Sequence, residues 1–369
     1  MIRGFRRALP TGIRTLRTDR QRYKLSTSQL GHVAETMSQC ALADCDGSQR
    51  RRAGGSMLSS PATDLSPRWY LSAITVFKNE AANLEEWLAF GLLHGIEHFL
   101  LYDNRSSDNP RAVLQPWIEA GIVDLVDWPL HWKTGAQMKA FVDALGRLRA
   151  LTRWAAFIDI DEFLFSPTGR TVADVLKGYE SHAGVIVNWQ CYGSSGHERR
   201  PAGLTIESYT RRATTDWARN RRVKTIVDPL LATGPRSAHL FDVLPNHSLV
   251  TEDFKPVKVV RNANGRRKLR HLAAWLPYLP FDPYSKTEPS IRQVSVSSLR
   301  INHYVTRSEE EMRLKYKDRD SLSRRDRRSH ARYHNRNEVE DPVLVSKADE
   351  VRRVISKVRG QALASELKR

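Results

Sequence analysis

From Trp69 onward the chain alternates short apolar runs with stretches of helical periodicity. Ala73–Ile74–Thr75–Val76–Phe77 combines apolar and β-branched residues without a break and predicts a buried strand. A helix follows from about Ala82 to His94, with Leu84, Trp87, Leu88 and Leu92 on one face and Gly95 as its stop. His98–Tyr102 reads as a second strand, Arg111–Glu119 as a helix and Ile122–Val126 as a third strand. Met138, Phe141, Val142, Leu145 and Leu148 mark another helix, and Trp154–Ile158 a fourth strand. This order predicts an α/β domain, its sheet mainly parallel with helices on both faces. A short helix near Val172–Leu176 and a strand at Val185–Trp189 come next.

Residues 191–305 mix Gly, Pro, Arg and short apolar pieces, the pattern of a mixed region of antiparallel strands and loops. Ser308-x-x-Glu311 is a capping box that opens a helix to about Lys317. The chain from Ser321 is rich in Arg, Asp and His and regains helical character at Ala348–Lys357. No internal repeat is visible.

Charge changes this picture only at the ends. The net charge is +18 over 369 residues. Residues 1–60 hold 11 Lys/Arg against 4 Asp/Glu, and residues 306–369 hold 18 against 12, so the middle is close to balanced. Residues 1–66 recur in arginine without an apolar stripe and pass through a linker-like run at Arg50–Ser56. They read as a basic, disordered extension, with residues 67–318 as the catalytic domain and 319–369 as a basic, partly helical tail. The functional chain is alternatively expected to begin near Met57. No run approaches the ~20 apolar residues of a spanning helix, and no signal-peptide core is present. Three cysteines (Cys40, Cys45 and Cys191) exclude a disulfide scaffold and a zinc ribbon and make a reducing compartment the default.

Candidate chemistry lies at the carboxyl ends of the predicted strands, where a parallel α/β sheet binds ligands. The first strand ends in Lys78–Asn79–Glu80, the second in Asp103–Asn104–Arg105–Ser106–Ser107–Asp108 and the fourth in Asp159–Ile160–Asp161–Glu162. In extended backbone residues i and i+2 point the same way, so Asp159 and Asp161 are expected to face one site. Two such carboxylates suit Mg²⁺ or Mn²⁺, with substrate phosphate oxygens as further ligands. Phosphatases of the Asp-x-Asp-x-Thr type also end a strand this way, but Phe163 stands where that motif has Thr or Val. The Asp103–Asp108 loop suits either a nucleobase or ribose contact or an Asx turn. There is no Gly-x-Gly-x-x-Gly and no Walker A pattern, which excludes a dinucleotide or P-loop site.

These residues together resemble a GT-A-fold glycosyltransferase of family 92 and the related family 2-like enzymes. The resemblance covers about residues 70–318. It runs in order through Val76–Glu80, Glu86–Trp87, Asp103–Asp108, Asp159–Phe163, Asn188–Trp189, Gly193–His197, Val223–Val227, His239–Phe241 and Asn302–Tyr304. It implies metal-dependent, inverting transfer of a sugar from a nucleotide-sugar donor to a hydroxyl of a glycan or glycolipid. Asp159 and Asp161 match the family's metal and diphosphate aspartates, with His239 and His303 as candidates for a later contact. Lys78, Asn79, Glu80, Asp103, Asn104, Asp108 and Lys224 are the candidates for the nucleotide-sugar pocket.

Inverting transfer needs a general base near the acceptor hydroxyl. Glu198, Glu207, Asp216 and His197 are the candidates, and the glycines of Cys191–Gly196 would let backbone approach a ligand closely. Membrane-anchored relatives carry an N-terminal hydrophobic helix; this chain reads as lacking one, so a cytoplasmic enzyme is expected. Its basic ends would rest peripherally on anionic lipid at the inner membrane face. The alternative functions are a metal-dependent phosphohydrolase, or a nucleic-acid-binding protein using its basic tails. No motif for specific nucleic-acid recognition is present.

Overall fold

The computed structural model describes residues 66–261, 267–271, 293–317 and 331–366. The basic extension and the Arg/Asp/His-rich run from Ser321 to about 330 lie outside the described residues. Seven elements alternate at the start: β1 (Trp69–Phe77), α1 (Ala81–Leu93), β2 (His98–Asp103), α2 (Pro110–Glu119), β3 (Val123–Asp127), α3 (Ala136–Leu148) and β4 (Thr152–Phe157). β1 pairs in parallel with both β2 and β4, and β2 with β3. The expected parallel sheet is therefore present. β1 begins four residues before the predicted run, because the polar Ser72 that interrupts the apolar pattern is buried and donates its hydroxyl to Thr152 Oγ1 at 3.0 Å.

Alternation along the strands splits the core in two. Leu71, Ala73 and Phe77 of β1, with Phe99 and Leu101 of β2, meet Leu84, Trp87, Leu114 and Trp117 of α1 and α2. Ile74, Val76, Leu100 and Tyr102 meet Phe141, Ala144 and Leu145 of α3 on the opposite face. Helices thus cover both faces, as the parallel pattern requires.

Beyond β4 the sheet becomes mixed. The elements are β5 (Glu162–Phe165), α4 (Val172–Leu176), β6 (Gly184–Cys191), α5 (Thr205–Ser208), β7 (Arg211–Arg212), β8 (Val223–Val227), β9 (Ala232–Pro235), β10 (Phe241–Val243), β11 (Leu249–Thr251), β12 (Pro256–Arg261), β13 (Arg267–His271), β14 (Arg300–His303), α6 (Glu309–Lys317), β15 (Val339–Glu340) and α7 (Ala348–Glu366). The sheet order is β13-β12-β11-β6-β8-β4-β1-β2-β3. β8 runs antiparallel between β4 and β6. β14 leaves this path to pair antiparallel with β5 and parallel with β6.

The boundary expected at residue 318 separates pieces that the core unites. Leu344, Ala348, Val351 and Val358 belong to the same buried cluster as β1 and α1, and α7 packs on α1 and α2. β15 pairs with β7, so this C-terminal stretch is part of the domain rather than a tail. Among the described residues no helix is long and apolar enough to cross a membrane.

Candidate active site

The acidic run after β4 is a turn, not extended backbone. The Glu162 amide donates to Asp159 O at 3.0 Å, and the Asp159 amide donates to the Glu162 carboxylate at 3.0 Å. Trp87 Nε1 donates to Glu162 O at 2.9 Å and the Tyr304 amide to Asp161 O at 2.8 Å, so α1 and the end of β14 fix the turn from outside. The turn replaces the extended backbone expected between Asp159 and Asp161. Ile160 is buried between them, and the two carboxylates meet different cations. Asp159, with a side chain 36% exposed, accepts from Lys224 Nζ at 2.7 Å and from Gln137 Nε2 at 3.4 Å. Asp161 is buried, ion-paired to Lys315, and 3.6 Å from His303 Nε2.

The pairing of β5 with β14 sets Glu162 opposite His303. One ligand atom each from Asp161, Glu162 and His303 lies within 4.8 Å of the others, and Asp159 is outside this group. Glu162 Oε1 and His303 Nδ1 are buried with no hydrogen-bond partner among the described residues. Orphaned polar atoms of this kind are costly and call for a ligand or ion. Two carboxylates and one imidazole form a donor set that Mn²⁺ or Mg²⁺ accepts, so the residues present fit the implied metal. His239 lies one ring away: the Trp189 ring is 4.2 Å from that of His303, tilted by 58°, and 5.3 Å from that of His239, whose Nδ1 is 3.0 Å from Val223 O.

Electrostatics separates these groups. Burial alone would raise Asp161, but Lys315, His303 and Arg307 together hold its carboxyl well below the usual range. Burial pushes Glu162 well above it, opposed by Lys224 at 3.4 Å. Burial lowers His303, and lowers His239 further with help from Lys224 and Arg222. Lys224 is fully buried, yet Asp159 and Glu162 outweigh that burial and keep it cationic.

At the ends of β1 and β2, several candidate pocket residues build the loops. Asn79 takes the left-handed conformation (φ 55°), which Asn tolerates, and its side chain accepts the Ser107 amide at 2.8 Å. Asp103 accepts the Ser106 amide, three residues on, at 2.9 Å and so closes the start of the loop. Asn104 is buried and donates to Trp128 O and Leu130 O, each at 2.7 Å. Asp108 accepts the Ala81 amide at the start of α1. Lys78 is exposed. Glu80 accepts from Arg307 at 3.1 Å, and Arg307 reaches on to Ile160 O at 3.4 Å, bridging the end of β1 to the acidic turn.

Sequence reasoning missed Arg307, Lys315 and the place of Glu162 in the acidic cluster. Arg307 carried no signal, being a bulky residue in the left-handed region (φ 51°). Lys315 was legible only as the residue four beyond Glu311 on the helix that the capping box opens; that box forms as expected.

The glycine loop differs from expectation in what it approaches. A Cβ on Gly193 would lie 2.3 Å from Arg336 O, so the close neighbour is the chain's own C-terminal segment rather than a ligand. The amides of Ser194 and Ser195 donate to Asn335 and Asn337 at 2.8 Å each. Of the base candidates, Glu207 accepts the Leu204 amide at 2.8 Å and pairs with Arg352, which commits it to the α5 start. His197 Nε2 lies 3.0 Å from Ser208 O, while Glu198 and Asp216 are exposed. Phe163, at the phosphatase Thr position, is core: its ring meets Phe90 at 5.0 Å and Tyr304 at 5.2 Å.

Known proteins similar to this chain are glycosyltransferases. A glycosyltransferase family 92 protein of Ricinus communis is 32% identical over 161 residues, 42% of this chain and 28% of its own. A galactan β-1,4-galactosyltransferase of Arabidopsis thaliana is 30% identical over 166 residues, 41% of this chain and 33% of its own. The matched segment thus spans about a third or less of these relatives' length. Among solved structures, a mannosyltransferase of Pyrobaculum calidifontis in complex with GDP-Man and Mn²⁺ gives a TM-score of 0.26 at 20% identity, covering 36% of this chain and 38% of its own. S. aureus TarS in complex with UDP gives 0.31 at 15% identity, covering 44% and 47%. Scores this low carry no argument about the site. The family model described as glycosyltransferase family 92 matches residues 72–328, well over half of the sequence, and the chain belongs to that family.

Proposed function

We propose that this chain is a GT-A-type enzyme that transfers a sugar from a nucleotide-sugar donor to a hydroxyl of a glycan or glycolipid, with inversion and with Mn²⁺ or Mg²⁺. The observation that carries the reading is the buried Asp161–Glu162–His303 cluster with the unpartnered Glu162 Oε1, just beyond the carboxyl end of β4. Asp161, Glu162 and His303 would hold the metal, with Asp159 and His239 beside them. A bound divalent cation supplies neutralisation of the diphosphate leaving group.

The chain's own residues do the rest. Lys224 and Arg307 place fixed positive charge on either side of the acidic turn, which favours an anionic donor there. Asp103, Asn104 and Asp108 hold the strand-end loop against which a nucleoside would lie, and Lys78 and Glu80 flank it. Glu198 and Asp216 keep solvent-facing carboxylates able to take the acceptor proton, whereas Glu207 is spent on its cap. The β-linkage named in the Arabidopsis relative is the product that a single displacement makes from an α-linked donor, which supports inversion.

The test is product analysis with a panel of UDP- and GDP-sugars and a glycan acceptor, with and without Mn²⁺. A metal-dependent glycoside product, lost in Asp161→Asn with the fold retained by circular dichroism, is expected. Free phosphate without sugar transfer would favour a phosphohydrolase and overturn the proposal.

A further inference from the structure

Two ammonium groups neutralise the two aspartates of the acidic turn, and they are not equivalent. Lys224 comes from β8 in the middle of the sheet, with a side chain 1% exposed, and it is paired to both Asp159 and Glu162. Lys315 comes from the last turn of α6, a helix on the domain surface, and its side chain is 31% exposed. Its ammonium sits on Asp161 Oδ2, the same oxygen that faces His303 Nε2 at 3.6 Å. That oxygen is the one the Asp161–Glu162–His303 cluster offers nearest its imidazole member. A divalent cation and an ammonium cannot both sit on it without strong repulsion.

We infer that Lys315 is a resident counter-cation of Asp161 that a divalent metal must displace, and that metal and nucleoside diphosphate therefore bind with positive coupling. The inference rests on reading the cluster as the metal site. Without a metal, the Lys315 ammonium keeps a buried carboxylate charged at little cost, which stabilises the metal-free protein. When a metal takes the oxygen, Lys315 loses its anion, and metal binding carries that loss. A diphosphate arriving beside the metal supplies a new anion to the freed ammonium, so the loss is recovered only when both ligands are present. Such coupling is reciprocal: a diphosphate that tightens metal binding is itself bound more tightly with metal present.

The experiment is calorimetric titration of the full chain with Mn²⁺ alone, and again at saturating UDP, for the native protein, Lys315→Gln, Lys315→Ala and Lys315→Arg. Because Lys315 is partly exposed near a helix end, its replacement opens no cavity in the core, and circular dichroism checks that each variant is folded before titration. Without UDP, the Gln and Ala variants are expected to bind Mn²⁺ about tenfold more tightly, a change of about 1.4 kcal/mol, while Arg resembles the native protein. UDP is expected to tighten Mn²⁺ binding more in the native protein than in Gln or Ala. Unchanged or weaker Mn²⁺ affinity in both neutral variants overturns the role of Lys315, and an equal UDP effect overturns the coupling. If none of the folded proteins binds Mn²⁺, the metal-site reading itself fails, which is a different result from equal binding by all four.

Discussion

Lys224→Met removes a fully buried cation that touches two members of the acidic turn. At 2.7 Å from Asp159 and 3.4 Å from Glu162, and with an effective dielectric of about 20, the attractions are about 6 and about 5 kcal/mol. Desolvation of the ammonium offsets most of this, and breaking a buried pair in proteins costs about 3–5 kcal/mol. Two features place this site at the low end. Asp159 has a side chain 36% exposed, so water screens it, and Glu162 escapes an unpaired charge by taking a proton. The expected loss is about 3 kcal/mol near neutral pH.

The pH dependence follows from the sign of the perturbation. Without Lys224 the buried Glu162 carboxyl, already held high by burial, binds its proton still more readily in the folded than in the unfolded chain, so the variant is least impaired in acid and loses stability as pH rises. Urea unfolding of the metal-free protein followed by tryptophan fluorescence at pH 5 and pH 8 measures this. The gap between native and variant midpoints should be wider at pH 8. A gap of equal size at both values, or a variant as stable as the native protein, would refute the assignment of Lys224 as the counter-ion of this turn.

Gly193→Ala should destabilise the domain by about 1–3 kcal/mol in the same assay, because the added methyl meets Arg336 O at 2.3 Å and must push the C-terminal segment away. Burial holds Glu162 well above the ordinary carboxylate range, so its contribution to stability is full in acid and is lost as pH rises from there through the raised folded value. Glu162→Gln should flatten that fall in a thermal-shift series and remove Mn²⁺ binding in titration. Glu207→Gln should lower Tm by weakening the α5 cap and the Arg352 pair, with kcat unchanged, whereas removal of the true base among Glu198 and Asp216 should lower kcat with Tm unchanged.

The strand and helix order was legible because β1 to β4 and α1 to α3 carry their periodicity within single segments. β5 was not, since Glu162–Phe165 starts directly from a turn with no Gly or Pro to mark it. The Asp159–Glu162 turn was misread as extended for the same reason: its hydrogen bonds come from Glu162's own amide and carboxylate, and from Trp87 and Tyr304 far along the chain. Asp161 and His303 were each visible as candidates, but only the β5–β14 register places His303 across from Glu162. Arg307 breaks a local conformational rule, so no local rule could find it. The Cys191–Gly196 loop was expected to approach a ligand, but Gly193 meets Arg336, 143 positions later, a partner invisible without the fold.

The central claim is that Asp161, Glu162 and His303 hold the divalent cation that meets the donor diphosphate. Anomalous diffraction from a crystal grown with Mn²⁺ and UDP tests it most directly. The account predicts one strong manganese peak within coordination distance of all three side chains, with a diphosphate oxygen completing the shell. A peak bound by other residues, or a diphosphate seated with no manganese at this cluster, would contradict it.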